Sequence, residues 1–330
     1  MALHAEQAGT VVLTDYAWPD LEIERRIIEG AGFHLVAGAS EPAPEAQIDE
    51  LIMQHDPVAI MTCWARVSAR AITASPNLKI VARLGVGLDN IAVETATRQG
   101  AWVTNVPDYC VEEVSDHAVG MVLAWTRGLI RFDRDVRQGR WDPAAARLRR
   151  LSTLTCGIVG YGRIGHRTAA KLKAFGARLL TQARPGKQPD GDIECVELDE
   201  LMRRCDVVIV HVPLNGETRH LIDARRLGLM KQGSMLVNVS RGGVVDTGAL
   251  VEALESGRLA GAGLDVLEDE PNVPDALKAQ PGAILTPHVA FSSDASLLEL
   301  RERACEDVVR ALRGEPVHYP CNEPIARQGR

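Results

Sequence analysis

The sequence lacks the features that mark several classes of protein. It has no apolar run approaching the roughly 18 residues of a membrane-spanning helix. Residues 1–6 lack the charged and apolar regions of a secretion signal. The net charge of -7 argues against a nucleic-acid partner held on a basic surface. We therefore expect a cytoplasmic protein that binds neither membranes nor nucleic acid.

Paired cysteines are also missing. The seven cysteines are odd in number, and none lies in a C-x-x-C pair. Their positions are Cys63, Cys110, Cys156, Cys195, Cys205, Cys305 and Cys321. This scatter predicts reduced, mostly buried thiols, and neither a disulfide framework nor a metal site.

What is present is typical of a soluble globular chain. Hydrophobic residues make up 46% and charged residues 25% of 330 residues, a length sufficient for two domains. Strands are predicted at 11–14, 34–37, 58–61, 79–83, 102–106, 154–159, 178–182, 206–212, 234–239, 262–266 and 283–285. Helices are predicted at 21–30, 44–54, 69–74, 247–255 and 294–313. The alternation predicts an α/β protein with parallel sheets.

One glycine-rich turn stands between a buried strand and a helix. The G-x-G-x-x-G comprises Gly160, Gly162 and Gly165, with Tyr161, Arg163 and Ile164 between them. The apolar run 154–159 precedes it, and a helical pattern that ends at Gly176 follows. Strand, glycine turn and helix in this order are typical of the phosphate-binding start of a Rossmann unit. The alternative is a strand–helix corner without a ligand.

Each glycine of the turn has a predicted role. Gly160 allows the tight turn, and Gly162 lets the backbone approach a pyrophosphate. Gly165 lets the helix pack close to the strand, so that the helix N-terminus faces the negative charge.

Residues 111–139 form the longest helical pattern. Apolar residues recur at every third or fourth position, and Gly120 and Gly128 are the only breakers before Gly139. The pattern predicts one long helix or two abutting ones. Such a helix either links domains and carries a subunit interface, or lies fully buried in the core.

Four polar segments stand at predicted strand ends in the second half. Arg241 lies beside two glycines and suits bidentate binding of a carboxylate. Asp265 ends a buried strand, Glu270 lies in an acidic turn, and His288 follows a strand and a proline. Ligands bind at this edge of an open parallel sheet. Singly, Arg241 could be a surface ion pair, Asp265 a helix cap and His288 an ordinary loop histidine; together, behind a dinucleotide loop, they favour an active site.

Together these segments resemble the signatures of the D-isomer-specific 2-hydroxyacid dehydrogenase family. This family includes D-lactate, D-glycerate, hydroxypyruvate and phosphoglycerate dehydrogenases, and also the C-terminal-binding-protein corepressors. Matching motifs run from residues 83–90 to His288. Residues 14–16, 105–110 and 291–293 are closest to the branch that resembles the corepressors.

The resemblance implies a fold and domain boundaries. It implies two Rossmann-like or flavodoxin-like α/β domains with parallel sheets and a cleft between them. Residues 1–106 plus 293–330 would form the substrate-binding domain, and 107–292 the dinucleotide-binding domain. Together with the long helical pattern at 111–139, it predicts a homodimer.

The resemblance also assigns catalytic roles. His288 matches the general acid/base, and Glu270 matches the carboxylate that keeps the imidazole protonated for reduction. Arg241 matches the residue that grips the substrate carboxylate and polarises the adjacent carbonyl. Asp265 matches the residue that binds the nicotinamide carboxamide.

Further binding residues follow from the same matches. The turn of Leu84, Gly85, Val86 and Gly87 would hold the substrate carboxylate through backbone N–H groups. Trp64 and Phe291 would line the pocket for the substrate's variable end, unless both are ordinary packing residues. Nucleotide contacts are expected from the glycine turn and from Val212, Pro213, Thr218, Val239, Asp265 and His288.

The second strand of the nucleotide unit bears on the choice of cofactor. An NAD site usually has an acidic residue about 20 positions past the glycines. Here Ala183 takes that position, and Arg184 and Lys187 follow. Because a guanidinium binds phosphate bidentately, we predict a preference for NADP(H), with NAD(H) possible. The alternative is that both cations are solvated turn residues.

Three functions remain open at this point. The first is a reductase of a small 2-oxo acid, and the second is a nucleotide-sensing, corepressor-like binding protein. The third is a dehydrogenase of the same fold that acts on a phosphite- or phosphonate-type substrate. Arg66, Arg83 and Arg241 could meet a second anionic group, unless Arg66 and Arg83 are solvated.

Overall fold

The computed structural model describes residues 9–182 and 193–325. The chain divides into two compact units, Met1–Tyr109 with Ser293–Arg330 and Cys110–Ser292. Each unit has its own parallel sheet. This confirms the predicted fold class of two α/β domains. None of the helices in the described ranges is long and apolar enough to cross a membrane.

The first unit contains a five-stranded sheet in the order β2-β1-β3-β4-β5. Its strands are β1 (Thr10–Asp15), β2 (His34–Ala39), β3 (Ala59–Thr62), β4 (Ile80–Arg83) and β5 (Trp102–Thr104). The central strands β3 and β4 are buried at every position. Strands covered on both faces are nearly continuous apolar runs, which explains why a period of two residues is absent from their sequence.

Besides the last helix of the chain, the described residues of this unit form four α-helices. They are α1 (Glu22–Glu24, continued by a wider π-helical turn at Arg25–Glu29), α2 (Glu45–His55), α3 (Ala69–Thr73) and α4 (Val93–Arg98). The helix α4 is not predicted from the sequence. A helix of six residues spans less than two turns, too little for a helical period to stand out.

The second unit contains a seven-stranded parallel sheet in the order β12-β11-β10-β9-β6-β7-β8. Its strands are β6 (Thr155–Val159), β7 (Arg178–Gln182), β8 (Glu194–Cys195), β9 (Val207–Val210), β10 (Ser234–Asn238), β11 (Leu259–Leu264) and β12 (Ala283–Leu285). The strand order reverses between β6 and β9, which pair directly. In such sheets a ligand binds beyond the carboxyl ends of the strands at this reversal.

The described residues of the second unit form seven α-helices. They are α5 (Val111–Arg127), α6 (Leu129–Arg137), α7 (Arg163–Ala174), α8 (Leu198–Arg204), α9 (Ala224–Leu229), α10 (Thr247–Glu255) and α11 (Asp275–Lys278). The bounds of α10 and β12 match the predicted ones. Four elements are not predicted from the sequence because they are too short to show a period: α8, α9, α11 and the two-residue β8.

The long helical pattern is two abutting helices. Gly128 ends α5 and begins α6 with a φ of 63°, a left-handed conformation that glycine adopts without strain. Helix α5 buries one face, whereas none of the described residues of α6 is buried. The side chains of Leu129, Ile130 and Val136 are about half exposed. The interpretation as a fully buried core helix is therefore wrong for α6.

The last helix, α12 (Asp294–Leu312), returns the chain to the first unit. Ser293 caps its start in a reciprocal capping box with Ser296. Arg301 of α12 then pairs with Glu24 of α1 at 2.8 Å, and both side chains are buried. Breaking such a buried pair would leave one charge uncompensated, so it fixes the docking of α12.

The cysteines follow the predicted pattern in the described residues. Five of the seven are buried, Cys321 is half-buried and Cys195 is exposed on β8. Burial raises the pKa of the Cys63, Cys156 and Cys205 thiols to about 12. These thiols are therefore protonated and unreactive near neutral pH.

Candidate active site

The glycine turn connects β6 to α7 at the reversal of the strand order. Gly160 has a φ of 98°, and a Cβ there would lie 2.8 Å from the backbone at His211 and Val212. A Cβ at Gly165 would lie 2.1 Å from the carbonyl oxygen of Gly160. Both positions therefore require glycine, one for its backbone conformation and one for the close approach of α7 to β6.

Gly162 differs from the other two glycines. Among the described residues outside 161–163, no heavy atom lies within 4 Å of the position that its Cβ would take. Gly162 is also the N-cap of α7, where no side chain of the described residues caps the helix and the first backbone N–H groups have no partner within the helix. The open space and these N–H groups fit a phosphate of a dinucleotide. Tyr161 lies in this turn, and its ring contacts that of His166 edge-on with centroids 5.6 Å apart; Arg163 and Ile164 open α7.

The loops after β9 and β10 lie along the same edge of the sheet. Val212 and Pro213 follow β9, and the Thr218 hydroxyl donates a hydrogen bond to the Pro213 carbonyl at 2.6 Å. Val239 follows β10 and is buried. Val212 lies beside the reversal point, since a Cβ at Gly160 would come within 2.8 Å of its backbone. The nucleotide contacts of all four residues stay a prediction. The predicted residues Ala183, Arg184 and Lys187 lie outside the described residues.

Arg241 follows β10, and a side chain of that strand holds its backbone. The Asn238 side chain donates a hydrogen bond to the Arg241 carbonyl at 2.9 Å. A Cβ at the next residue, Gly242, would lie 1.9 Å from the Leu267 backbone, so only glycine lets this turn pass beneath the Glu270 segment. The Arg241 charge is close enough to Glu270 to help lower the pKa of that carboxyl.

Glu270 and His288 form a direct pair. Glu270 Oε2 lies 2.8 Å from His288 Nδ1, and Glu270 Oε1 accepts the backbone N–H of Leu267 at 2.9 Å. Burial of this carboxyl opposes its ionisation. The hydrogen bond and charge of His288, the Leu267 N–H and the Arg241 charge outweigh that effect and lower the pKa of Glu270.

His288 sits in a turn that Asp265 holds from below. The residue has a φ of 54°, an unusual conformation for a non-glycine residue that persists only where the surroundings enforce it. Asp265 is buried, and its carboxylate accepts the N–H groups of Val289 and Ala290 at 2.9 Å each. The Thr286 hydroxyl donates to the same carboxylate at 2.6 Å. Phe291 contacts the His288 ring edge-on, with centroids 6.3 Å apart.

The remaining predicted residues belong to the first unit. Leu84, Gly85, Val86 and Gly87 form the turn after β4, and Trp64 lies in the loop after β3. Leu84 is buried, whereas the Val86 side chain is exposed. Gly85 has a φ of 152°, and a Cβ there would meet the Arg83 guanidinium at 2.9 Å.

Two charged residues that hold these loops were missed or misread. Arg83 is buried and donates to the carbonyls of Thr62, Leu84 and Gly87, so the interpretation of Arg83 as a solvated residue is wrong. Asp15, at the end of β1, is fully buried and accepts the backbone N–H groups of Cys63, Trp64 and Ala65. A charged residue at the end of an apolar strand indicates such a role only weakly, because strands that end at the protein surface also finish with a charged residue.

Arg66 behaves as the solvated alternative predicts. Its side chain is 71% exposed, and its guanidinium lies 3.3 Å from the Glu45 carboxylate. In the described part of the chain, no cluster of three or more His, Cys, Asp or Glu side chains has the arrangement of a metal site.

Comparison with known proteins identifies the family. The profile of the D-isomer specific 2-hydroxyacid dehydrogenase NAD-binding domain matches residues 119–290. Over 260 residues the chain is 40% identical to the glyoxylate reductase of Thermococcus onnurineus, covering 76% of this chain and 78% of that protein. The chain belongs to the D-isomer-specific 2-hydroxyacid dehydrogenase family. This confirms the family resemblance inferred from the motifs, and makes the second unit the family's nucleotide-binding domain.

Solved structures agree with this assignment. An NADPH-dependent glyoxylate/hydroxypyruvate reductase from Sinorhizobium meliloti, solved with NADP and malonate, superposes with a TM-score of 0.84 and is 33% identical. That match covers 98% of this chain and all of the other. The D-lactate dehydrogenase of Aquifex aeolicus, solved with NAD and lactic acid, gives a TM-score of 0.80 at 30% identity, covering 92% and 96% of the two chains.

Proposed function

We propose that this dehydrogenase reduces a small 2-oxo acid to the 2-hydroxy acid with NAD(P)H. The observation that carries the proposal is the 2.8 Å pair of Glu270 and His288, with the Arg241 charge beside it. A proton donor and a carboxylate-binding cation are the two groups that reduction of a 2-oxo acid requires from the protein. The relatives named above, a glyoxylate reductase and a glyoxylate/hydroxypyruvate reductase, support a small substrate.

The residues divide the work of the reaction. The bound nicotinamide supplies the hydride. His288 donates a proton from Nε2 to the carbonyl oxygen, while Glu270 holds Nδ1 and stabilises the protonated imidazole. Arg241 binds the substrate carboxylate, and we assign the N–H groups of the Val86–Gly87 turn a share of that anion. Gly160, Gly162 and Gly165 would hold the pyrophosphate at the start of α7. We further assign Asp265 to the nicotinamide carboxamide and Trp64 and Phe291 to the substrate's variable end.

The role of Arg241 can be tested with paired substrates. A 2-oxo acid and the corresponding aldehyde differ by the carboxylate that Arg241 would bind. In Arg241→Ala we expect kcat/KM for the 2-oxo acid to fall by roughly a hundredfold or more, and kcat/KM for the aldehyde to change little. Arg241→Lys keeps the charge without the bidentate geometry, so its kcat/KM for the 2-oxo acid should lie between those of the wild type and Arg241→Ala. An equal loss for both substrates would contradict the role.

The proposal extends to the cofactor and to assembly. Ala183, Arg184 and Lys187 favour NADP(H) over NAD(H), an argument from the sequence alone. The half-exposed side chains of Leu129, Ile130 and Val136 favour a homodimer through α6, since exposed apolar side chains of this kind mark interfaces.

The alternatives have less support. A nucleotide-sensing protein of the corepressor-like branch would also keep the fold, but it does not need a paired Glu270 and His288. A phosphite- or phosphonate-type substrate would need a further cation, and Arg83 is committed to backbone carbonyls. The enzymatic relatives favour neither.

A further inference from the structure

Helix α5 packs on the backbone of β11 through two glycines. A Cβ at Gly261 would lie 2.5 Å from the Trp125 ring, and one at Gly263 would lie 2.8 Å from the Met121 sulfur. Side chains at these two strand positions would therefore push the helix away. The absence of side chains lets α5 lie directly on the strand.

The two elements are in register beyond the glycines. Trp125, Met121 and His117 follow at intervals of four residues along α5, a rise of about 6 Å per step. Gly261, Gly263 and Asp265 follow at intervals of two along β11, a rise of about 6.6 Å per step. Because the steps nearly match, a third contact is expected beyond the two glycine contacts, between His117 and Asp265.

His117 is found at that contact. Its Nε2 lies 3.7 Å from Asp265 Oδ1 and 3.0 Å from the Thr286 hydroxyl. The Thr286 hydroxyl has one hydrogen, which it donates to Asp265 at 2.6 Å. It must therefore accept a hydrogen from His117, so Nε2 of His117 is the protonated nitrogen.

The chain of hydrogen bonds ends at the turn of His288. Asp265 accepts the N–H groups of Val289 and Ala290, and the His288 N–H is donated to the Asp265 carbonyl at 2.8 Å. These bonds hold His288 at its positive φ, a conformation that costs free energy unless the surrounding structure enforces it. Fixing the Thr286 hydroxyl thus fixes the acceptor that holds the turn.

We propose that His117 is a positioning residue for catalysis, which holds the turn of His288 through Thr286 and Asp265 by donating a hydrogen bond from Nε2. It touches neither substrate nor cofactor in this role. The kinetic part of the proposal rests on the proposed reductase function, whereas the positioning itself does not.

Three substitutions separate the hydrogen bond from simple packing. Glutamine places its amide N–H near the position of histidine Nε2, asparagine places it near Nδ1, and leucine has no donor. In His117→Leu and His117→Asn we expect kcat for a 2-oxo acid to fall by roughly tenfold, with KM nearly unchanged. His117→Gln should stay close to the wild type. His34→Leu, at an exposed position at the start of β2, is the matched control.

Amide hydrogen exchange gives a readout that does not depend on activity. The N–H groups of Val289 and Ala290 should exchange roughly tenfold faster in the leucine and asparagine variants, and near the wild-type rate in His117→Gln. Thr286→Val should have the same effects on kcat and amide exchange as His117→Leu. The double variant His117→Leu/Thr286→Val should show effects little larger than those of either single variant.

The outcomes are distinguishable. Unchanged kcat and exchange in all three His117 variants would overturn the proposal, and so would an equal loss in the glutamine variant, which would indicate packing alone. If the wild type reduces no 2-oxo acid, the proposed function fails, and the exchange rates still decide whether His117 holds the turn.

Discussion

Glu270 Oε2 approaches His288 Nδ1 to 2.8 Å, which leaves Nε2 of His288 without a hydrogen-bond partner among the described residues. The imidazole is thus bonded on one side and available on the other. That is the arrangement of a histidine that delivers a proton. Its chemistry depends on Glu270 remaining ionised.

This dependence gives a pH prediction. The pKa of Glu270 lies below its ordinary value of 4.5, so the carboxylate stays ionised while pH falls to 4.5 and is lost only when pH falls through the lowered value. We expect kcat for reduction, measured at each pH in short assays, to persist down to about pH 4.5. Glu270→Gln should lower kcat across this range. A fall of wild-type kcat well above pH 4.5, without unfolding by circular dichroism, would contradict the assignment.

The glycines of the turn should respond differently to the same substitution. Gly165→Ala forces a Cβ to 2.1 Å from the Gly160 carbonyl, so both the melting temperature and nucleotide binding should fall. Gly162→Ala adds a methyl group to open space, so it should weaken binding roughly tenfold with little change in melting temperature. Gly228→Ala, in α9 and equally open among the described residues, is the control. Calorimetric titration with NADPH measures the binding, and full binding by Gly162→Ala would contradict the phosphate role.

Cofactor choice tests the sequence argument on residues 183–187. Wild-type kcat/KM should be higher with NADPH than with NADH. Arg184→Ala should shrink the preference because it removes a guanidinium suited to the 2′-phosphate, and Ala183→Asp should reverse it because a carboxylate repels that phosphate. A wild-type preference for NADH would show the prediction to be wrong.

Assembly tests the exposed face of α6. Sedimentation equilibrium at micromolar concentration should give twice the chain mass of 35.8 kDa. Replacing Leu129 and Ile130 by serine should yield monomers, since the apolar contact area is lost. Phe175→Ser removes a comparably exposed apolar side chain at the C-terminal end of α7, outside α6, and should leave the dimer intact. A monomeric wild type would refute the interface.

Much of this molecule follows from its sequence, and the exceptions have physical causes. Gly160, Arg241 and His288 follow strands of one parallel sheet, whose carboxyl ends bring distant segments together, and Gly165 and Glu270 belong to the motifs beside them. His117 could not be assigned, because its partner Asp265 lies 148 positions along the chain and only the packing of α5 on glycines joins them. Short helices such as α4 and α9 carry too few residues for a period.

Two buried charged residues of the first unit could not be recognised from the sequence. Buried Arg83 and Asp15 serve backbone groups of their own loops, and no pattern separates them from solvated charges. Their roles appear only when the carbonyl and N–H groups around them are seen.

The central claim is tested most directly by the reaction itself. Purified protein is mixed with NADPH and, in turn, glyoxylate, hydroxypyruvate and pyruvate, and nicotinamide absorbance is followed for wild type and His288→Ala. The account predicts that at least one of these acids is reduced by the wild type and that the variant is slower by roughly a hundredfold or more, while it still binds NADPH. No reduction of any 2-oxo acid by the wild type with either nicotinamide cofactor, or undiminished turnover by the variant, would contradict it.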